Sequence, residues 1–193
     1  MTPPDPSADP PGPEERIVAP WQQLAQRPRA DGWLPIVTRT YRMPDGSVSD
    51  WDIHEIAFTT VAVLALTRDG QVVLTEQFRP GPGAVVLDMP GGIVDDGETI
   101  EQAAARELLE ETGFRAGTIE PAGSTWAFGA STWRRHVVVA RDCDQVAQPT
   151  SWGGDEYCRP VVLSMDRFRE VLRSGDSTDV DLGYLALDVA DLL

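Results

Sequence analysis

The stretch GGIVDDGETIEQAAARELLEETGF, Gly91 to Phe114, reads as a loop running into a helix, and the rest of the fold is read outward from it. Thr99 followed by Gln102 makes a capping box, in which the two residues satisfy each other's backbone N–H groups. Ala103 to Ala105 and Leu108–Leu109 have high helix propensity, and Gly113 stands where a helix ends in a left-handed residue. On such a helix Glu107 lies three residues from Glu110 and four from Glu111, so all three carboxylates project from one side. Like charges at this spacing cost roughly 0.2–0.5 kcal/mol per exposed pair. Near the C-terminus the macrodipole adds to that cost, because it favours cations there. A divalent cation held between the carboxylates resolves both conflicts; a solvated acidic helix face is the plainer alternative. Hard oxygen ligands of this kind suit Mg²⁺, with Mn²⁺ as a second option.

Upstream, VVLDMP reads as a strand ending at Pro90 and the Gly91–Gly92 pair. Before it, IAFTTVAVLALTRDGQVVLTEQF gives two β-branched runs joined across Arg68-Asp69-Gly70, a hairpin signal. Residues 21–55 hold short strands about a Pro44-Asp45-Gly46 turn and form an N-terminal β extension. Residues 1–20 carry seven of the 16 prolines and few large apolar side chains, a composition that cannot repay the entropy of ordering, so a disordered tail is expected. Downstream, GTIEPAGSTWAF and WRRHVVVARD read as strands, SMDRFREVLRS as a helix capped by Ser164, and TDVDLGYLALDVADLL as a last helix. Strands interleaved with helices indicate an α/β fold with a mixed sheet over residues 56–193.

The composition narrows the function. A formal net charge of -15 offers no basic footprint for nucleic acid, and an anionic ligand then needs help from a cation. Every one of the 16 basic residues is Arg. Cys143 and Cys158 stand apart, with no CxxC spacing, which argues against a disulfide scaffold or structural zinc and suits a reducing, cytoplasmic setting. The longest apolar run, VAVLAL, is too short to cross a bilayer, and no membrane association is expected. His54 and His136 adjoin strand patterns and are expected to be structural.

Gly92, five residues, Glu98, seven residues, Arg106-Glu107-Leu108, one residue, Glu110-Glu111, one residue, Gly113-Phe114: this spacing matches the Nudix box, and the sequence resembles the Nudix hydrolase superfamily. TEQFRPG, LDMPGG and TDVDLGYLAL extend the resemblance to the branch that hydrolyses ADP-ribose and nucleotide sugars. The resemblance implies a Nudix fold, a mixed sheet sandwiched between helices, and metal-dependent cleavage of a nucleoside diphosphate linked to a second moiety. It implies that Glu107, Glu110 and Glu111 ligate the metal, with the Gly91 carbonyl as a further ligand, that Arg106 orients a glutamate, and that Glu98 supports the site. A late acidic residue acting as base is implied too, and SWGGDEY offers Glu156, with Asp155 as the neighbouring alternative. Arg79 suits a substrate phosphate or base, or else a surface salt bridge. Trp126, Phe128 and Trp133 suit stacking on a base, or ordinary sheet packing. The branch commonly carries a proline shortly past the box, which TWAFGASTW lacks, so both ADP-ribose and nucleotide sugars are kept as substrates. The resemblance also implies a homodimer formed through the N-terminal extension. A catalytically silent module of the same fold that senses a nucleotide metabolite is the alternative function.

Overall fold

The structure, a computed structural model, describes residues 35–42, 47–153 and 156–193. The proline-rich tail, the Pro44-Asp45-Gly46 turn and Asp155 lie outside the described residues, as does the side chain of Glu156. The chain opens with β1 (Ile36–Arg42) and β2 (Val48–His54), an antiparallel pair that forms a sheet of its own. The main sheet follows from β3 (Thr59–Thr67), β4 (Val72–Arg79), β5 (Ala84–Asp88) and β6 (Gly91–Ile93). After α1 (Ile100–Thr112) come β7 (Phe114–Arg115), β8 (Thr118–Trp126), β9 (Arg134–Gln145), β10 (Trp152–Gly153) and β11 (Glu156–Leu163), then α2 (Met165–Ser174) and α3 (Val180–Val189). The strands run β10-β11-β4-β3-β9-β7, with β5 on β4, β6 on β3 and β8 on β9. Only the β3–β9 pairing is parallel among the described strands, so the sheet is mixed.

Period-two alternation buries both faces of this sheet. Ala62, Leu64 and Leu66 of β3, with Leu74 and Val139, meet Phe168 and Leu172 of α2 and Leu182, Ala186 and Leu187 of α3. Val61, Val63 and Ala65, with Val73 and Val138, meet Ala103, Ala104 and Leu108 of α1 on the other face. The expected α/β sandwich is therefore present, with α1 on one side and α2 and α3 on the other. The hairpin across Arg68-Asp69-Gly70 is also present, with Gly70 at φ 75° and its N–H donating to the Thr67 carbonyl at 3.0 Å.

The short strands β7 and β10 and, with more consequence, β6 and β11 differ from the sequence reading. Gly91–Ile93, read as loop, is β6 and pairs with Thr60–Ala62. A Cβ at Gly91 would stand 2.1 Å from the Val61 carbonyl oxygen, so the missing side chain permits this pairing. β11 was not foreseen, because Pro160 interrupts its apolar run. The outer side of β11 is paired only at Trp152–Gly153 among the described residues, an edge position where a missing N–H is tolerated.

Candidate active site

Helix α1 is fixed at both ends. The Thr99 hydroxyl accepts from the Gln102 N–H at 3.3 Å, and the Gln102 side-chain oxygen accepts from the Thr99 N–H at 2.8 Å. Gly113, at φ 75°, donates its N–H to the Leu109 carbonyl, while its own carbonyl accepts from Val146 and Ala147. The helix therefore presents its carboxylates to β6 in a set register.

The three glutamates, equivalent in the sequence, sit in three different environments. Glu111 is 5% exposed, and its Oε2 accepts from the Gly91 N–H at 2.9 Å. The Cys158 Sγ lies 3.5 Å from its other oxygen. Burial, with a smaller contribution from the Glu107 charge, pushes the Glu111 carboxyl up to about 8, against the Gly91 N–H and the Arg79 charge. Glu107 packs its carboxylate on Gly92, where a Cβ would stand 2.3 Å from Oε1. Glu110 is about half exposed.

Arg106 ties the group together. Its Nε and Nη2 donate to the two Glu98 oxygens at 3.0 and 2.8 Å, its Nη1 to Glu107 Oε1 at 2.8 Å and more distantly to Glu110 at 3.4 Å, and its Nη2 also to the Ile93 carbonyl at 2.9 Å. This bidentate pair is the strong form of a charge-assisted bond. It raises the Arg106 pKa and holds the Glu98 carboxyl below its usual range. The repulsion expected from the sequence is thus offset in two ways: by Arg106 at Glu98 and Glu107, and by the readiness of Glu111 to keep a proton. Among the described residues no three acidic, histidine or cysteine side chains already converge on one point. The donor set nevertheless fits a hard divalent cation, since a buried carboxylate raised by burial and by a like charge is one whose ionised form a cation favours.

On the other side of the Gly91–Gly92 strand opens a cavity of about 550 Å³. Arg79, Met89, Phe128, Trp133, Arg135 and Asp179 line it together with both glycines. Arg79 donates from Nε to the buried Asp88 at 2.8 Å; among the described residues its two terminal nitrogens have no protein acceptor. The salt-bridge reading of Arg79 thus describes one nitrogen and leaves two facing the cavity. Phe128 is about half exposed and packs its ring 5.6 Å from the His54 ring, and Trp133 donates from Nε1 to the Thr60 hydroxyl at 3.2 Å. Trp126 is elsewhere: it is not among the lining residues, and the Arg134 guanidinium covers its ring at 4.5 Å. The Trp126 position follows from cross-strand pairing with Arg134.

Three site residues went unread in the sequence. Asp88 is fully buried and accepts four hydrogen bonds, from Arg79 Nε, the Ser177 hydroxyl, and the Thr178 N–H and hydroxyl, at 2.7–2.9 Å. Arg135 donates to Asp179 Oδ1 at 2.7 Å, to the Thr178 carbonyl at 2.9 Å and to Asp181 at 3.0 Å. Burial raises the Asp179 carboxyl, with the Asp88 charge adding. The available signal was a charged residue inside an apolar strand, Asp88 in VVLDMP and Arg135 in WRRHVVVA. No comparable signal marked Asp179, which needs the fold to bring it beside β9.

Residues 58–176 match the model of the NUDIX domain. The chain is 35% identical over 146 residues to the ADP-sugar pyrophosphatase of Mus musculus, covering 68% of this chain and 67% of that protein. It is 27% identical over 154 residues to the ADP-ribose pyrophosphatase of Bacillus subtilis, covering 78% and 82% respectively. Among solved structures, that of an ADP compounds hydrolase superposes with a TM-score of 0.69 at 18% identity, over 89% of this chain and 94% of the other, a likeness of fold.

Proposed function

The chain belongs to the Nudix family, and from that premise we propose that it hydrolyses the pyrophosphate bond of a nucleoside diphosphate linked to a second moiety, ADP-ribose or a nucleotide sugar, with Mg²⁺ or Mn²⁺. One observation carries the reading: β6 is at once the seat of Glu107 and Glu111 and a wall of the cavity that Arg79 lines. A diphosphate lying along Gly91 and Gly92 therefore has the box carboxylates on one side and a guanidinium on the other.

Glu107 and Glu111, with the Gly91 carbonyl, would hold the cation, and the exposed Glu110 would assist. Bound there, a divalent cation would supply polarisation of the phosphoryl oxygens and would lower the pKa of a water so that a base can take its proton as it attacks phosphorus. The two terminal nitrogens of Arg79 grip a phosphoryl oxygen, a role suited to a planar guanidinium. Arg106, anchored by Glu98, holds Glu107 in orientation by donating directly to its carboxylate. Phe128 and Trp133 offer stacking surface to a base. For the base that takes the proton from water we keep Glu156, with Asp155 as alternative. Its support is Cys158, two residues further along β11, which touches Glu111.

A homodimer through β1 and β2 belongs to the same reading, supported by the exposed Ile36, Tyr41, Val48 and Trp51 on that isolated hairpin. No described helix is long and apolar enough to cross a membrane. Cys143 and Cys158 are buried without a disulfide. The acidic net charge of -15 supports a protein that does not bind nucleic acid, and a cytoplasmic location is kept as part of this proposal.

The test is hydrolysis of ADP-ribose, nucleotide sugars and dinucleotides with Mg²⁺ or Mn²⁺, following release of phosphate monoester. The Glu111→Gln variant is expected to lose at least about a hundredfold in kcat while keeping its fold. No turnover of any of these compounds by the wild type, or full activity in Glu111→Gln, overturns the reading and leaves a nucleotide-sensing module.

A further inference from the structure

The cavity contains one acidic side chain that the hydrolysis does not use. Asp179 occupies the position before α3 where an aspartate normally caps its own helix. It makes no such bond. Its Oδ1 instead accepts from Arg135 Nη2 at 2.7 Å, and Arg135 is itself fixed by the Thr178 carbonyl and Asp181. The residue is only 8% exposed, yet it lines the cavity. Among the described residues Oδ2 has no protein donor. The neighbouring acid, Asp88, is by contrast saturated with four donors. One oxygen of a nearly buried carboxylate is thus left open on the cavity wall, where a ligand donor that displaces solvent can meet it.

The surrounding chemistry defines that donor. The charge of Asp179 is already met by Arg135, with Arg79 adding at longer range, so the donor is a neutral N–H or O–H and not a cation. Most of the remaining wall is apolar, Ala62, Met89, Leu182, Phe128 and Trp133 among it, and its two threonine hydroxyls are engaged, Thr60 accepting from Trp133 Nε1 and Thr178 donating to Asp88. A polyhydroxylated sugar would face these apolar surfaces with unpaired hydroxyls. A flat base buries its faces against them and carries its donors at the edge.

We propose that Asp179, held by Arg135, accepts a hydrogen bond from the exocyclic amino group of the substrate's base and so selects amino-bearing bases over those with a carbonyl at that position. The selection has two parts. An amino group completes the open acceptor, and a carbonyl sets its lone pairs against a carboxylate. The inference rests on the pyrophosphohydrolase reading above and adds to it the identity of the base.

The experiment compares ADP-ribose with its hypoxanthine analogue, in which the amino group is replaced by a carbonyl. Each is assayed on the wild type, Asp179→Asn and Asp179→Ala. The quantity read is the ratio of the two kcat/KM values in one preparation, which does not depend on the fraction of protein correctly folded. The wild type is expected to favour ADP-ribose by about 10- to 100-fold, the discrimination of a hydrogen bond to a charged group. Asp179→Ala is expected to bring the ratio near one. Asp179→Asn, whose amide donates to a carbonyl, is expected to bring it to one or below. A wild-type ratio near one, or a ratio unchanged in both variants, overturns the inference alone. Equal losses on both substrates overturn it in favour of a sugar hydroxyl as the donor. A wild type that hydrolyses neither compound overturns this inference, and the hydrolase reading falls with it only if nucleotide sugars and dinucleotides are left intact as well.

Discussion

Glu111 is a carboxylate placed where water cannot stabilise its charge, and its pH behaviour follows from that. Its carboxyl, pushed up to about 8 by burial, holds a proton in the folded protein at pH values where the unfolded chain, near 4.5, has released it. Between these limits the folded state binds more protons, so stability falls as pH rises. The full span corresponds to as much as about 5 kcal/mol, at 1.36 kcal/mol per unit. The contribution is therefore complete below about pH 4.5 and lost by about pH 8. Melting temperatures of the metal-free protein are expected to fall between pH 5 and 8 more steeply in the wild type than in Glu111→Gln. Millimolar Mg²⁺ is expected to flatten the wild-type curve, because a cation stabilises the ionised form. Parallel curves for the two proteins would contradict the assignment.

At the scale of elements, the site depends on how closely β6 and α1 approach, and the two glycines of β6 serve different neighbours. A Cβ at Gly91 meets the backbone of β3, with the Val61 oxygen at 2.1 Å, whereas a Cβ at Gly92 meets the flexible end of Glu107 at 2.3 Å. Backbone cannot yield but a carboxylate can. Gly91→Ala is accordingly expected to destabilise the fold by about 1–3 kcal/mol. Gly92→Ala is expected to melt within a few degrees of the wild type while losing about tenfold or more in kcat, because it displaces Glu107. Thermal melting and kinetics on the pair check this; an active Gly92→Ala protein would show that the Glu107 position is not critical.

At the scale of the whole molecule, the β1–β2 hairpin stands outside the main sheet. It is joined to the body through the exchange of hydrogen bonds between His54 and the segment holding Ala130 and Thr132. A two-stranded ribbon is marginal by itself, and Tyr41 and Trp51 lie on one of its faces, where each remains about half exposed. A second copy covering that face is the expected remedy. Light scattering at micromolar concentration should give twice the 21.1 kDa chain mass, and Trp51→Glu should return it to a single chain. A monomeric wild type would refute the dimer.

The sequence by itself determined what depends on neighbours along the chain. The capping box at Thr99 and Gln102, the left-handed Gly113, the Ser164 cap and the turn at Gly70 are local hydrogen-bonding and backbone preferences, and each is present. The box spacing identified the family for the same reason, since its carboxylates lie on one helix. Only the tertiary structure decided which of those carboxylates is buried. Glu107, Glu110 and Glu111 differ because β6, unread as a strand, lies beneath two of them. It also decided what the second acidic set does. Asp88 and Asp179 are 91 positions apart in sequence, and Arg135 lies between them on another strand. Burial and charge pairing are properties of the packed interior, where distance along the chain carries no information, and so the cavity and its open carboxylate appear only when the sheet is assembled.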